Sequence, residues 1–195
     1  MSLLVRCPDY QGVHIDQAVH TMLLFLQVNL STFAFLFSEL VQYNHQRVAS
    51  IPQLQERLAE LGQHIGHRMV DVLCWRDRAT KRETRLVNML LFIKNNVWKT
   101  LFGKEADSLE QATDVPGTYY LFEEEPLVNT FISVPNDFSG LNCAAFGGGV
   151  VEAFLSATQF PAKVQTFWHG KQQNKTAIRI QFEDSVLLRE KMMEK

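Results

Sequence analysis

The chain has no excess of charge of either sign. Its 195 residues include 19 Lys and Arg against 21 Asp and Glu, for a formal net charge of −2 at pH 7. A protein that attracts nucleic acid or an anionic membrane through its overall field has a clear basic excess. The composition therefore excludes that kind of partner, and no nucleic acid is expected. Hydrophobic residues make up 46% of the chain, which is enough for one domain with a continuous core.

Cysteine is scarce. The three cysteines, Cys7, Cys74 and Cys143, are far apart, and none belongs to a Cys-x-x-Cys or a mixed Cys and His ligand pattern. An odd number of widely spaced cysteines favours reduced thiols over a disulfide framework. His64 and His67 lie three residues apart on a predicted helix, but two ligands make only half of a zinc site. We therefore expect neither a metal nor another cofactor.

No uninterrupted apolar stretch is long enough to cross a membrane. The strongest candidate, residues 22–41, is broken by Gln27, Asn29, Ser31, Thr32 and Ser38. A membrane-spanning helix needs about 20 predominantly apolar residues, and a signal peptide needs a basic start and a small-residue cleavage site. This stretch is therefore predicted to contain a buried helix, and no transmembrane segment is expected.

The chain also lacks the common catalytic signatures, such as HExxH, Walker and GxGxxG motifs or a Ser-His-Asp arrangement. Only "LNCAAFGGGVVEAFL", residues 141–155, invites a chemical interpretation. A phosphate loop would need a Lys-Ser or Lys-Thr pair after Gly149, and an activated thiol at Cys143 would need a basic neighbour. The sequence supplies neither, so we favour a helix whose small residues permit close backbone contact. No catalytic residue is predicted, with a thiol enzyme using Cys143 as an alternative.

Two charged clusters favour solvated surface over a site. Glu123, Glu124 and Glu125 end a predicted strand, where alternating side chains cannot all face one pocket. The second cluster is basic and consists of Arg76, Arg78, Lys81, Arg82 and Arg85. Because Asp77 and Glu83 dilute it, a solvated helix junction is favoured over a site for phosphate or an acidic partner.

Hydrophobic periodicity predicts two helices after residue 30. Ser31 is the predicted N-cap of a helix over residues 32–47, with Phe35 and Tyr43 outside its apolar stripe. That stripe consists of Phe33, Leu36, Phe37, Leu40 and Val41. Ser50 and Gln53 form a predicted capping box for a helix that extends to about residue 77. Its predicted core face consists of Leu54, Leu58, Leu61, Ile65, Met69 and Val72.

A second stripe on this long helix contains two glycines. It consists of Ala59, Gly62, Gly66, Val70 and Leu73. A glycine inside a helix costs about 1 kcal/mol relative to alanine. Something must compensate for that cost, and we expect a neighbouring backbone to approach this stripe closely.

The second half of the chain combines helices with strands. Residues 80–83 form a second predicted capping box, which opens a helix that ends near Gly103 and is apolar nearly all round. We expect this helix to be the central one. Strands are predicted at residues 118–122, 127–134, 162–168 and 176–182, with a helix before the third and another from about residue 183. The order predicts an α+β fold in which several helices pack on a four-stranded antiparallel sheet.

Several long motifs resemble one protein family. They are "LFSELVQY", "GHRMVDVL", "KRETRLVNMLLFIKNNVWKTLFGKEADSLEQ", "EPLVNTFISVP", "LNCAAF" and "FPAKVQTFWH". Together they closely resemble the small subunits of the transport protein particle, the TRAPP vesicle-tethering complex, over about residues 30–190. The chain is accordingly divided into an N-terminal extension, residues 1–29, and a TRAPP small-subunit domain, residues 30–195.

The resemblance implies a function as well as a fold. It implies a non-enzymatic subunit that pairs with sister subunits of the same fold in a complex acting between endoplasmic reticulum and Golgi. It also implies that the assembled complex promotes nucleotide exchange on a Rab-type GTPase. The expected location is cytoplasmic and peripheral at the endoplasmic reticulum and cis-Golgi. A sister subunit has a fatty-acylated cysteine four residues before its "RET" motif. The matching position here is Arg78, so acylation is not carried over.

The excess of apolar surface on the first two helices points to an interface. A contiguous exposed apolar patch above a few hundred Å² normally marks a contact site. The candidate interface residues are Phe35, Tyr43, Ala59, Gly62, Gly66 and Val70. The alternative function, from a different class, is a lipid- or acyl-chain-binding protein with an apolar cavity between helices and sheet.

Overall fold

A computed structural model describes residues 29–76, 83–134, 138, 140–170 and 175–193. Helix α1, Leu30–His45, has Asn29 as its N-cap, and the side chain of Asn29 accepts a hydrogen bond from the backbone N–H of Ser31. The predicted Ser31 cap is therefore wrong by two residues, because Asn29 is the better-placed capping side chain. Nearly all of the predicted N-terminal extension lies outside the described residues.

Helix α2, Ile51–Arg76, follows after a short connection. The predicted pairing of Gln53 with Ser50 is not observed, because the side chain of Gln53 accepts its hydrogen bond, of 3.0 Å, from the backbone N–H of Ala49. Leu54 and Leu58 are fully buried, as predicted, but Ile65 is 39% exposed. The core face of α2 is therefore narrower than the periodicity predicts.

The next helical stretch contains a change of helix type. Helix α3, Leu86–Phe92, continues into a π-helical segment, Ile93–Val97, and then into helix α4, Trp98–Phe102. The stretch ends where predicted, at Gly103, whose φ of 75° is left-handed. It begins later than predicted, because Glu83 is not helical and the first helical residue is Leu86. The remainder of the predicted capping box, residues 80–82, lies outside the described residues.

Four strands form an antiparallel sheet with the order β1-β2-β4-β3. The strands are β1, Ser108–Gln111, β2, Thr118–Glu123, β3, Ala162–His169, and β4, Lys175–Phe182. Three of them match predicted strands. The predicted strand over residues 127–134 is wrong, since Leu127–Thr130 is a short helix, α5, that begins after Pro126. The fourth strand is instead β1, which lies in a segment that the sequence presents as polar.

The central helix is α6, Ala145–Ala157. It lies between α2 on one side and the sheet on the other, and residues 145–151 and 153–155 are all buried. The prediction that the stretch ending at Gly103 is central was wrong, because Val87 and Leu91 are 45% and 42% exposed. Helix α7, Asp184–Met193, closes the described part of the chain. The predicted fold class, helices packed on a four-stranded antiparallel sheet, is confirmed.

Candidate functional site

The glycine stripe of α2 is in contact with α6 of the same chain. A Cβ atom added to Gly66 would lie 2.7 Å from the carbonyl oxygen of Val150 and 2.8 Å from Cβ of Ala153. A Cβ on Gly62 would overlap the carbonyl oxygen of Phe146, and one on Gly149 would overlap that of Ala59. The expected close approach of a neighbouring backbone is therefore confirmed, with glycines on both helices facing the other backbone.

This contact changes the assignment of the candidate interface. Gly62 and Gly66 are buried, and Val70 packs against the core. The prediction that these glycines meet a partner is corrected, because α6 occupies the face of α2 to which they belong. Ala59 is partly buried and lines the rim of a groove described below.

The outer face of α1 has large exposed apolar side chains. Phe35 is 77% exposed, Leu36 67% and Tyr43 54%. These three residues lie within about 100° of one another around the helix axis, since each residue turns the helix by about 100°. Leu36 was predicted to face the core, but the buried side of α1 is centred on Phe37 and Val41. The ring of Phe37 packs edge-on against Phe146 of α6, with the ring centroids 5.5 Å apart.

The segment before α6 is held by a buried amide network. Asn142 donates a hydrogen bond of 3.1 Å to the hydroxyl oxygen of Thr176 and accepts bonds of 3.0 Å from the Asn129 amide and the Ala144 backbone N–H. Cys143 follows directly and is 1% exposed. Burial raises the pKa of the Cys143 thiol to about 12, whereas a reactive cysteine needs a lowered pKa. The geometry favours packing over chemistry, as the sequence indicates.

The acidic turn contains one buried residue. Glu123 is 4% exposed, although the sequence predicts a solvated turn, whereas Glu124 and Glu125 are exposed. Leu121 faces the core, and side chains two residues apart on a strand face the same side, so Glu123 faces the core as well. This alternation is the sequence signal that could have identified its burial. Burial raises the pKa of the Glu123 carboxyl, and the ammonium of Lys104, 3.7 Å away, opposes that shift.

The remaining polar candidates form no site among the residues that the structure describes. His64 and His67 are exposed on α2, and the described side chains include no group of three or more potential metal ligands. Arg85 pairs with Glu190 at 3.6 Å. The other four residues of the basic cluster have no described side chains or lie outside the described range, as does the position of the acylated cysteine, Arg78.

Two of the cavities in the described part of the chain open between packed elements. The smaller, about 280 Å³, lies between α1 and the segment before α6, and His45 and Gln42 are among its lining residues. The larger is a groove of about 740 Å³ between α2, α6 and β3, with four charged side chains in its lining. Charged walls disfavour an apolar ligand in this groove. The alternative of a lipid-binding protein gains no support from it and stays a prediction.

A densely packed α+β domain that exposes large apolar side chains on a helix face, as α1 does, is typical of a subunit built for assembly. Among the described helices, none is long and apolar enough to span a bilayer. Residues 33–183 match the family model described as "Transport protein particle (TRAPP) component". The chain belongs to this family, whose members are components of a tethering complex in vesicle transport. The family resemblance stated from the sequence motifs is thereby confirmed.

Individual relatives agree with this assignment. The trafficking protein particle complex subunit 5 of Gallus gallus is 54% identical over 168 residues, which cover 86% of this chain and 87% of the relative. The subunit 5 of Dictyostelium discoideum is 43% identical over 84% of this chain and 89% of its own.

A solved structure supports the fold. Subunit 3 of the complex from Naegleria fowleri, covalently bound to palmitic acid, superposes with a TM-score of 0.68 at 16% identity. The match covers 80% of this chain and 95% of that one.

Proposed function

We propose that the chain is a non-enzymatic assembly subunit of a vesicle-tethering complex that acts between endoplasmic reticulum and Golgi. Its partners are sister subunits of the same fold, and the assembled complex promotes nucleotide exchange on a Rab-type GTPase. The protein works in the cytoplasm, peripheral to the endoplasmic reticulum and cis-Golgi membranes. Membership of the TRAPP component family supports the proposal.

The exposed face of α1 is the observation that supports the assembly role. Phe35 extends into solvent while its neighbour Phe37 is 6% exposed in the core. Full burial of a phenylalanine side chain is worth about 1.5–3 kcal/mol, so this face gains stability when a partner covers it. Aromatic side chains near the centre of an interface commonly contribute most of its binding energy. We therefore place a sister subunit against α1, with Phe35 and Tyr43 as contact residues.

Introduction of a negative charge on this apolar face tests the placement. Phe35→Asp should reduce pairing with a sister subunit at least about tenfold, because the complex would bury an unpaired carboxylate. The fold should be unaffected, since residue 35 is exposed in the isolated chain. Val115→Asp is the matched control, because Val115 is 46% exposed on a different part of the surface.

The measurement is co-expression with sister subunits followed by size-exclusion chromatography with light scattering. Circular dichroism should give the same melting curve for Phe35→Asp as for the unmodified chain. If the unmodified chain remains a well-behaved monomer in the presence of every sister subunit, the proposal is wrong. Normal co-purification of the Phe35→Asp variant would refute the placement on α1.

The proposal that only the assembled complex, and not the isolated chain, promotes nucleotide exchange is tested separately. The purified chain alone should not accelerate GDP release from a Rab-type GTPase, whereas the assembled complex should. Fluorescence of a labelled GDP analogue reports both rates. Stimulation by the isolated chain at sub-micromolar concentration would show that it is itself an exchange factor.

A further inference from the structure

The larger groove lies between the closely packed helices α2 and α6 on one side and the strand β3 on the other. Its floor contains the small residues Ala145, Gly148 and Gly149 of α6, and the N-terminal half of α2 forms one wall. The opposite wall is the β3 segment from Lys163 to Phe167. The groove has a volume of about 740 Å³. It is separate from the outer face of α1.

The strand in this wall is at the edge of the sheet. Among the described strands, β3 pairs with β4 alone, and the sheet order places it last. In an antiparallel strand, every second residue directs its N–H and C=O groups to the same side. An edge strand therefore presents a row of backbone donors and acceptors to a further extended chain. At about 3.3 Å per residue, the eight residues of β3 offer about 26 Å of edge.

The charges around the groove differ between its walls. The helices contribute three carboxylates, Glu56, Glu60 and Glu152, against the single ammonium of Lys163 on the strand. Glu152 is held in place by Gln63, whose side-chain amide donates a hydrogen bond of 2.9 Å to it. Glu60 also pairs with Arg57 at 2.9 Å, but both side chains are about half exposed. Such exposed pairs are weak, so Glu60 stays available to a second cation.

We propose that this groove binds an extended, Lys- or Arg-rich segment of a partner protein, which adds to β3 as a fifth strand. Backbone hydrogen bonds to the edge would supply affinity, and the carboxylates of α2 and α6 would select the basic side chains. An acidic segment is disfavoured, because it would face the three carboxylates at close range. A second copy of the chain is disfavoured for the same reason, since it brings the same net negative groove. The segment would contact about six to eight residues of the edge.

Four synthetic peptides, of three designs, test the proposal with the full-length chain. The first probe is a fluorescein-labelled ten-residue peptide of alternating Lys and Val, and the second replaces every Lys with Glu. The third design N-methylates the Lys–Val peptide at alternate residues, in two versions that block opposite edges. Fluorescence anisotropy should show binding of the Lys–Val probe and at least about tenfold weaker binding of the Glu–Val probe. One N-methylated version should lose binding at least about tenfold, and the other should retain it, because only one edge pairs with β3.

Variants of the protein locate the site. The triple variant Glu56→Gln, Glu60→Gln, Glu152→Gln should bind the Lys–Val probe at least about fivefold more weakly and with a smaller dependence on salt. The control Glu105→Gln, Glu110→Gln, Glu125→Gln removes the same charge from exposed positions outside the groove and should bind normally. Phe35→Asp should also bind normally, so the result does not depend on the sister-subunit interface. Thermal melting confirms that each variant is folded.

Several outcomes would overturn the proposal. These are failure of the Lys–Val probe to bind, equal binding of the Glu–Val probe, and equal binding of both N-methylated versions. Equal weakening by the two triple variants would indicate non-specific attraction to the surface. A dimer of the chain alone that excludes the probe would show that a second copy takes the edge, and the proposal would again be wrong.

Discussion

Gly62→Ala tests the contact between α2 and α6 most directly. In an exposed helix this substitution stabilises the protein by about 1 kcal/mol, because alanine is the better helix former. In this chain the new Cβ would overlap the carbonyl oxygen of Phe146 and lie 3.1 Å from the amide nitrogen of Val150. These are backbone atoms of a buried helix and cannot move aside like the end of a side chain. The two helices would have to separate.

The expected loss of stability follows from opposing terms. Overpacking of a well-packed interior costs about 1–3 kcal/mol, occasionally more. We expect a cost at or above the upper end of this range, because both helices would have to shift. The higher helix propensity of alanine offsets about 1 kcal/mol of that cost. The net loss is about 2 kcal/mol. For a chain of this size, that loss lowers Tm by about 4–8 °C.

Gly147→Ala provides a matched control, because Gly147 belongs to α6 but is directed at Trp98 and not at α2. Its nearest new neighbour would be Cη2 of Trp98 at 3.5 Å, an ordinary van der Waals distance. This variant should gain up to about 1 kcal/mol, or about 2–4 °C in Tm. Differential scanning calorimetry and urea unfolding would measure both variants. If Gly62→Ala is as stable as Gly147→Ala, the close approach of α2 and α6 is not present in solution.

Three further predictions concern buried groups. Burial raises the pKa of Cys143 to about 12, so its thiol should resist iodoacetamide at neutral pH and be labelled only in urea. Peptide mapping measures the labelling, and rapid labelling of the native protein would contradict the burial of Cys143. Asn142→Ala should cost about 1–3 kcal/mol in urea unfolding, because it leaves buried partners without hydrogen bonds; an unchanged midpoint would refute the network. Because the pKa of Glu123 is raised on folding, its contribution to stability is present below the unfolded pKa and is lost as pH rises through the folded pKa. Glu123→Gln should therefore stabilise the protein at neutral pH and flatten the dependence on pH, whereas the exposed control Glu125→Gln should not.

Periodicity predicted the packing elements well, because burial imposes a regular spacing on apolar residues. The stretch from Leu86 to Gly103 and the β3–β4 pair follow directly from such spacing. It failed for β1, whose four residues include two exposed ones and no alternating apolar pattern. It failed again at Leu127–Thr130, where an apolar run is too short to distinguish a strand from a helical turn.

The candidate site was only partly predictable for a related reason. The sequence showed that Gly62 and Gly66 needed a close neighbour, but not whether that neighbour belonged to the same chain. The answer lies about 80 residues further along the chain, in α6, which only the fold brings into contact. Phe35 could be identified as lying outside the core stripe, because a helix has one buried side. The groove could not be predicted, since its walls come from three separate elements.

The π-helical segment Ile93–Val97 contains one residue more than the α-helical turn that could replace it. Each residue of an α-helix turns the chain by about 100°, so the wider π turn resets the direction of every side chain that follows. Val97 and Trp98, adjacent in sequence, are both almost completely buried on the far side of this turn. Deletion of one residue from the segment would restore a regular helix and leave Trp98 directed at Gly147, because the π turn contains one residue more than an α turn. Deletion of a residue from the α-helical part before it would instead rotate Trp98 by about 100°, so this stretch tolerates a shorter π segment better than a shorter α-helix.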